Sequence, residues 1–182
     1  DPYLSRGLGD VYKRQEDIDP VDISFSIRDL TLKKPFLVNI GNPHIIFFDD
    51  EIEKYDIESF GSLIENDSLF PEKINVSFAK LKSDNHIVLN VWERGVGKTS
   101  ACGTAACATA VAGVEMRAIK NKVTVTLPGG DLEIYYKSSD NIIMTGPTEI
   151  NFTDKYKLWE IKILKKILKY TSITHAVSVG LR

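Results

Sequence analysis

Of the two cysteines in this 182-residue chain, Cys102 stands where a helix should begin. The local sequence is Ala101-Cys102-Gly103-Thr104, and it opens a run to Val114 that contains no Lys, Arg, Asp or Glu. Alanine favours helix strongly, and a helix without a charged face is a buried one. At a helix start the first backbone N–H groups lack intrahelical partners, and the dipole adds partial positive charge. A thiol in that position is expected to ionise more easily, and the thiolate is the reactive form. The N–H groups of Gly103 and Thr104 are expected to face an anion such as a carboxylate. Gly103 leaves room for a ligand to approach the backbone. The plainer alternative is a small buried core residue, which most free cysteines are.

Just upstream, Glu93-Arg94-Gly95 ends an apolar alternating stretch. A carboxylate and a guanidinium side by side can pair at the surface and contribute little. Facing a pocket, they can bind an amino acid's ammonium and carboxylate. Arginine suits the carboxylate because its planar fork reaches both oxygens. Asn42 and Asn75 stand at strand ends, and Asn42 follows a glycine. A side-chain amide there can face a pocket or bond its own turn. A lone histidine beside an apolar strand, as His44 is, is more often a satisfied structural residue than a catalyst. Gly97-Lys98-Thr99 imitates the end of a phosphate loop. That motif needs a glycine five positions before Gly97, where Trp92 stands.

The elements that must carry these residues follow from periodicity. Residues 17–29 alternate in part, with Ile23, Phe25 and Ile27 on one face, and residues 36–40 and 44–48 are short apolar strands. Residues 56–66 have helix spacing through Ile57, Phe60, Leu63 and Ile64, with Asp56 able to cap the start. The acidic run between Glu51 and Asp67 is read as solvated surface. Residues 74–81 and 86–93 form a hairpin that delivers Glu93 and Arg94 to the glycine loop. After the uncharged helix come strands at 122–127, 132–136, 142–145 and 148–152, with turns at 128–130 and 138–141. Residues 156–170 suggest a basic amphipathic helix, the commoner explanation being a lysine-faced surface helix.

Composition sets outer bounds. Net charge is −2, with 43% hydrophobic and 26% charged residues, as in a globular domain that can close a core. That balance gives no electrostatic case for nucleic acid or an anionic membrane. No apolar run reaches the ~20 residues a membrane helix needs. Two cysteines five apart make neither a metal motif nor a disulfide framework, so no metal is expected and Cys107 reads as core packing. A reduced, cytoplasmic setting is the default expectation.

The chain also resembles a known family. Glu93-Arg94-Gly95, Gly97, Thr99, Ala101-Cys102-Gly103-Thr104 and Ala106-Cys107-Ala108 look like the second cysteine motif of diaminopimelate epimerases. Gly41-Asn42-Pro43-His44, Phe70-Pro71-Glu72 with Asn75, and Met144-Thr145-Gly146-Pro147 follow the family's order. The resemblance covers roughly residues 35–152. It implies an α+β fold: a strongly curved, mostly antiparallel sheet wrapped around one buried helix, with a second helix outside. It also implies two similar halves, each giving one cysteine at a helix start. One thiolate takes the α-proton from one face of the substrate, and the other thiol returns a proton to the opposite face, without pyridoxal phosphate or metal. The product serves lysine and peptidoglycan precursor biosynthesis. By motif position Cys102 is a catalytic cysteine. Gly103 and Thr104 hold the substrate carboxylate. Glu93, Arg94, Asn42 and Asn75 hold its distal end, and His44 is a further candidate.

The departure is the first half, whose Cys-Gly-Asn-Gly motif does not occur in this sequence. The chain therefore reads as the second, C-terminal half, spanning residues 16–160. It is expected to be inactive alone and to expose an apolar face toward the missing N-terminal half. A homodimer stays open for the intact protein. Residues 1–15 are expected to be foreign to the fold, and residues 161–182 a divergent tail. Two other readings stand: a proline racemase-like or phenazine-type isomerase of the same fold, and a non-catalytic truncated binding module. The Glu-Arg-Gly spacing ahead of Ala-Cys-Gly-Thr favours the first reading over the isomerases. The missing first cysteine favours the binding module as a description of this chain alone.

Overall fold

A helix without charge as far as Val114 needs an apolar wall, and the sheet supplies it. The computed structural model describes residues 19–137 and 141–147. In chain order the strands are β1 (Ser24–Ile27), β2 (Leu30–Lys33), β3 (Phe36–Asn39) and β4 (Pro43–Phe48), followed by helix α1 (Ile57–Glu65). Then come β5 (Asn75–Ser83), β6 (His86–Glu93), β7 (Gly97–Thr99) and helix α2 (Gly103–Glu115). Strands β8 (Lys122–Leu127), β9 (Gly130–Tyr135) and β10 (Ile143–Thr145) follow. The expected leader at 1–15, the strand at 148–152, the basic helix at 156–170 and the tail at 161–182 lie outside the described residues, as does most of the turn at 138–141.

Among the described residues, β1 and β2 form a separate hairpin. The other eight strands form one sheet in the order β10-β9-β8-β6-β5-β4-β3, with β7 also on β6. The pairs β4–β5 and β6–β8 are parallel, and the remaining pairs are antiparallel. β8 pairs with the first three residues of β6 and β7 with its last three. Helix α2 touches both β3 and β9. In a flat sheet those strands would be five spacings apart, roughly 24 Å, about twice the diameter of a helix with its side chains. The sheet therefore curls around α2, as expected for this α+β fold. Every residue from 105 to 113 is buried, and small side chains let the strands come close on all sides.

Helix α1 covers the other face. Asp56 caps it, accepting from the N–H groups of Glu58 and Ser59 at 3.2 and 3.3 Å. Its buried stripe is Ile57, Phe60, Gly61, Ile64 and Glu65. Ile57, Phe60 and Ile64 of that stripe share one core cluster with Ile45 and Phe47 of β4 and Val76 and Phe78 of β5. Phe60 and Phe78 meet edge to face at 6.3 Å between ring centres, a favoured aromatic geometry. The alternate residues of the same strands, His44, Ile46, Asn75 and Ser77, lie on the opposite face, where α2 runs. Strands β4 and β5 are thus buried on both faces, and this is what brings His44 and Asn75 under cover.

The hairpin β1–β2 lays Phe25 against Phe47 at 6.2 Å and against Phe70 at 6.5 Å. The first alternating segment is therefore shorter than its sequence pattern, and it turns back at Arg28, whose φ is +53°. Its expected face holds: Phe25 is buried and Ile23 and Ile27 pack partly beneath it. Large apolar side chains left exposed are Leu63, Leu69, Val96, Tyr135, Ile143 and Met144. Tyr135 and Ile143 are direct partners across β9–β10.

Candidate active site around Cys102

The end of β6 and the start of α2 converge through a tight return. Val96 donates its N–H to the Glu93 carbonyl at 3.0 Å, and Gly97 pairs back against Glu93. Gly95 sits in this turn at φ +75°, a conformation that costs glycine little and other residues more. Arg94 is fixed from two directions. Its N–H donates to Asn75 Oδ1 at 3.0 Å, and its Nη1 donates to the Glu72 carbonyl at 3.1 Å. Among the described residues no ion pair joins Arg94 to Glu93, so the surface-pair alternative does not describe them.

Cys102 is the N-cap of α2, extended at φ −147° and ψ 106°, and is buried. Its carbonyl accepts the Ala106 N–H at 3.1 Å, starting the helix. Its Sγ lies 3.5 Å from the Thr104 hydroxyl. Thr104 in turn accepts from Asn42 Nδ2 at 3.3 Å. Gly103 lies beneath Met144: an added Cβ would meet the Met144 sulfur at 3.0 Å. The Met144-Thr145-Gly146-Pro147 stretch thus reaches the helix start.

The thiol's proton affinity departs from the expectation drawn from its place in sequence. Burial pushes Cys102 above the ordinary thiol value, Thr104 and the nearby Ala105 amide pull it down, and the Glu93 carboxylate raises it again. The net direction is upward, so burial and a neighbouring anion outweigh the helix end, and the resting form is the thiol. Cys107, also buried, is pushed up to about 11 by its burial and by Cys102.

His44 is wholly buried, with its Nε2 3.1 Å from Asn42 Oδ1. Since the Asn42 amide nitrogen is spent on Thr104, Oδ1 is the acceptor, and His44 carries its proton on Nε2. Its Nδ1 has no hydrogen-bond partner. Burial, and then the charge of Arg94, lower His44 to about 4, so it is neutral at physiological pH. Asn75 donates to the Pro43 carbonyl at 2.8 Å while accepting from Arg94. It ties the β3–β4 turn to the β6–β7 turn, and its second Nδ2 hydrogen takes part in neither bond. One connected cluster therefore holds Asn42, His44, Asn75, Glu93, Arg94, Cys102 and Thr104, with Gly103 at its helix end.

Glu65 belongs to the same neighbourhood, although the acidic run in which it lies is expected to be solvated. It is 4% exposed. Its Oε2 accepts Trp92 Nε1 at 2.7 Å, and its Oε1 accepts the Gly95 N–H at 2.8 Å and faces Lys73 at 3.3 Å. Its burial is legible in retrospect: it follows Gly61 by four residues, on the buried stripe of α1. No group of three or more metal-ligating side chains occurs among the described residues. No helix among them is long and apolar enough to cross a membrane.

A family model described as "Diaminopimelate epimerase" matches residues 36–151. A diaminopimelate epimerase of Methylocella silvestris is 48% identical over 138 residues, 75% of this chain and 48% of that protein. One from Erythrobacter litoralis is 51% identical over 121 residues, 66% of this chain and 45% of that protein. The chain thus spans about half the length of the curated relatives it matches. Among solved structures, a hydroxyproline epimerase from Agrobacterium vitis with bound trans-4-hydroxy-L-proline is similar at TM-score 0.46 and 13% identity, covering 70% of this chain and 45% of that one.

Proposed function

The chain belongs to the diaminopimelate epimerase family, and on that premise we propose that it supplies one of two thiols in a proton transfer at the α-carbon of diaminopimelate. Cys102 is the acid–base group. The N–H groups of Gly103 and Thr104 receive the α-carboxylate at the helix start, where unpaired donors stabilise the negative charge that builds on deprotonation. Glu93 and Arg94, backed by Asn42 and Asn75, hold the distal ammonium and carboxylate. His44, neutral and with a bare Nδ1, is the remaining polar group facing this cluster. In this reading neither pyridoxal phosphate nor a metal takes part.

The single observation that supports it best is the capping position of Cys102: a buried sulfur at the head of an enclosed helix, ringed by Thr104 and Glu93. A group that holds its proton at rest suits the donating role. A thiolate on the substrate's other face takes the α-proton, and the resulting carbanion electron pair takes the proton from the Cys102 S–H. The first sulfur ends as thiol and Cys102 as thiolate. That is general acid–base catalysis from two sides.

The second thiol is not in this chain. Cys107 is inside α2 and holds its proton more tightly than an ordinary thiol. The 182-residue chain alone therefore does not invert the α-carbon. The test is stereoinversion of LL-diaminopimelate in deuterated water by the purified chain, with Cys102→Ser as control. No turnover above that control is expected, and turnover comparable to an intact relative would overturn the half-site reading. An aziridine analogue of diaminopimelate should alkylate Cys102 before Cys107. Equal labelling of both would remove the support for a shaped site.

A further inference from the structure

We propose that Glu65 is a positioning residue that fixes the Glu93–Arg94 turn from the opposite face of the sheet. Its role in recognising substrate rests on the half-site reading above, whereas its hold on the turn does not. Trp92 and Gly95 flank Glu93 and Arg94 on either side, and both flanks are pinned to one carboxylate. Trp92 Nε1 donates to Oε2 at 2.7 Å and the Gly95 N–H donates to Oε1 at 2.8 Å. Asn75 supplies the third fixed point through the Arg94 N–H. The four consecutive residues 92–95 thereby donate three hydrogen bonds to side chains far away in sequence.

The placement of Glu65 opposes local helix preference. It is the last residue of α1, and that helix has no basic residue in its last turn. A carboxylate there meets the negative end of the dipole, and burying it adds a desolvation cost unless it is fully bonded. Bonds from Trp92 and Gly95 and the Lys73 ammonium meet that condition. A residue that breaks a local rule marks a place where another requirement prevails, and the requirement here is a two-oxygen acceptor beneath the turn. Trp92 cannot move freely, because its ring lies against Gly61 and under Gly97.

Glu65→Gln tests this with little change of shape. Glutamine offers one carbonyl oxygen, so it can hold Gly95 or Trp92 but not both. In the ¹⁵N-labelled full chain, the Gly95 amide and Trp92 indole protons should follow one shared carboxylate titration. In Glu65→Gln at least one of the two should move to its unbonded shift, the shared titration should vanish, and residues 93–96 should lose fast-timescale order, while amide dispersion elsewhere is kept. Labelling of Cys102 by the aziridine analogue should fall at least tenfold, and labelling by iodoacetamide, which needs no turn, should change less than twofold. Lys73→Met, which removes only the exposed partner, should match the wild type in the order of residues 93–96 and in both labelling rates, while the shared carboxylate titration moves to higher pH. Unchanged order at 93–96 would overturn the proposal, as would an equal loss of both labelling rates or an equal effect of Lys73→Met. If Glu65→Gln does not fold, the wild-type titration still decides, since separate titrations of the two protons would rule out a common carboxylate. If the wild-type chain shows no preference of the analogue for Cys102, the half-site reading fails, and the order of residues 93–96 still decides whether Glu65 sets the turn.

Discussion

The Asn42 amide donates to the Thr104 hydroxyl across 3.3 Å, although the two residues are 62 apart in sequence. The same hydroxyl lies 3.5 Å from the Cys102 sulfur. A polar path thus runs from His44 through Asn42 and Thr104 to the thiol, joining the start of β4 to the head of α2. It brings the motif around Asn42 and the motif around Cys102 into one hydrogen-bonded cluster.

That path yields a first prediction. Thr104 lowers the proton affinity of Cys102, so Thr104→Val should raise it further and Thr104→Ser should leave it close to the wild type. A hydrogen bond worth about 1 kcal/mol corresponds to roughly fivefold slower alkylation of Cys102 at a fixed, mildly alkaline pH. Mass spectrometry of iodoacetamide-treated protein across pH gives the profile. Superimposable profiles for Thr104→Val and wild type would show that the hydroxyl does not reach the sulfur.

Glu93 acts in the other direction. Its carboxylate raises Cys102, so Glu93→Gln should move the alkylation profile to lower pH and speed labelling severalfold at neutral pH. Cys107, held at about 11, should still react last. A slower Cys102 in Glu93→Gln would mean that the carboxylate helps the thiol ionise, opposite to what the geometry implies.

The sequence discloses this molecule unevenly, for physical reasons. Helix α2 is legible because a run without charge can only be enclosed, and Asp56 with Ile57, Phe60 and Ile64 announces α1. Strand β7 is not legible, since Gly97–Thr99 becomes a strand only by lying back against Val91 and Glu93. Nor does alternation reveal that β4–β5 and β6–β8 run parallel, because period two reports faces and not partners. Within the site, the capping position of Cys102 follows from its neighbours in sequence. Its proton affinity does not, because burial and Glu93 act through space. Glu65 shows the same limit: its charge predicts solvent, and only the fold supplies Trp92, Gly95 and Lys73 to satisfy it.

Stability should fall in mildly acidic solution because of His44. Its ordinary value of 6.5 drops to about 4 in the folded chain, chiefly through burial. Between those values the unfolded chain binds the proton and the folded chain does not, so stability is fully present above 6.5 and is lost as pH falls toward 4. The gap corresponds to about 3 kcal/mol for a fully buried imidazole. Asp49, Asp56 and Glu65 also have lowered values, but from starting points of 3.8 to 4.5, so they act mainly at the acid end. Urea unfolding at pH 6.5 and 5 should show the loss in wild type and a smaller one in His44→Gln. Equal slopes for the two proteins would be evidence against a neutral buried His44.

Gly61→Ala sets two forces against each other. Replacing a mid-helix glycine favours α1 by up to about 1 kcal/mol through propensity alone. At this position, however, the added Cβ would collide with Trp92 Cγ and lie 2.7 Å from Trp92 Cβ. The ring is held by Glu65 at 2.7 Å and lies near Gly97, so relief requires moving β6 or α1. Overpacking of this kind costs roughly 1–3 kcal/mol, which exceeds the propensity gain. The variant should therefore unfold at lower urea than wild type, and the displaced Trp92 should carry Glu93 with it and weaken labelling of Cys102 by the aziridine analogue. Both losses should appear together, because one ring transmits them. A more stable Gly61→Ala, the outcome helix propensity predicts, would show that Trp92 moves aside at little cost and that α1 does not brace the site.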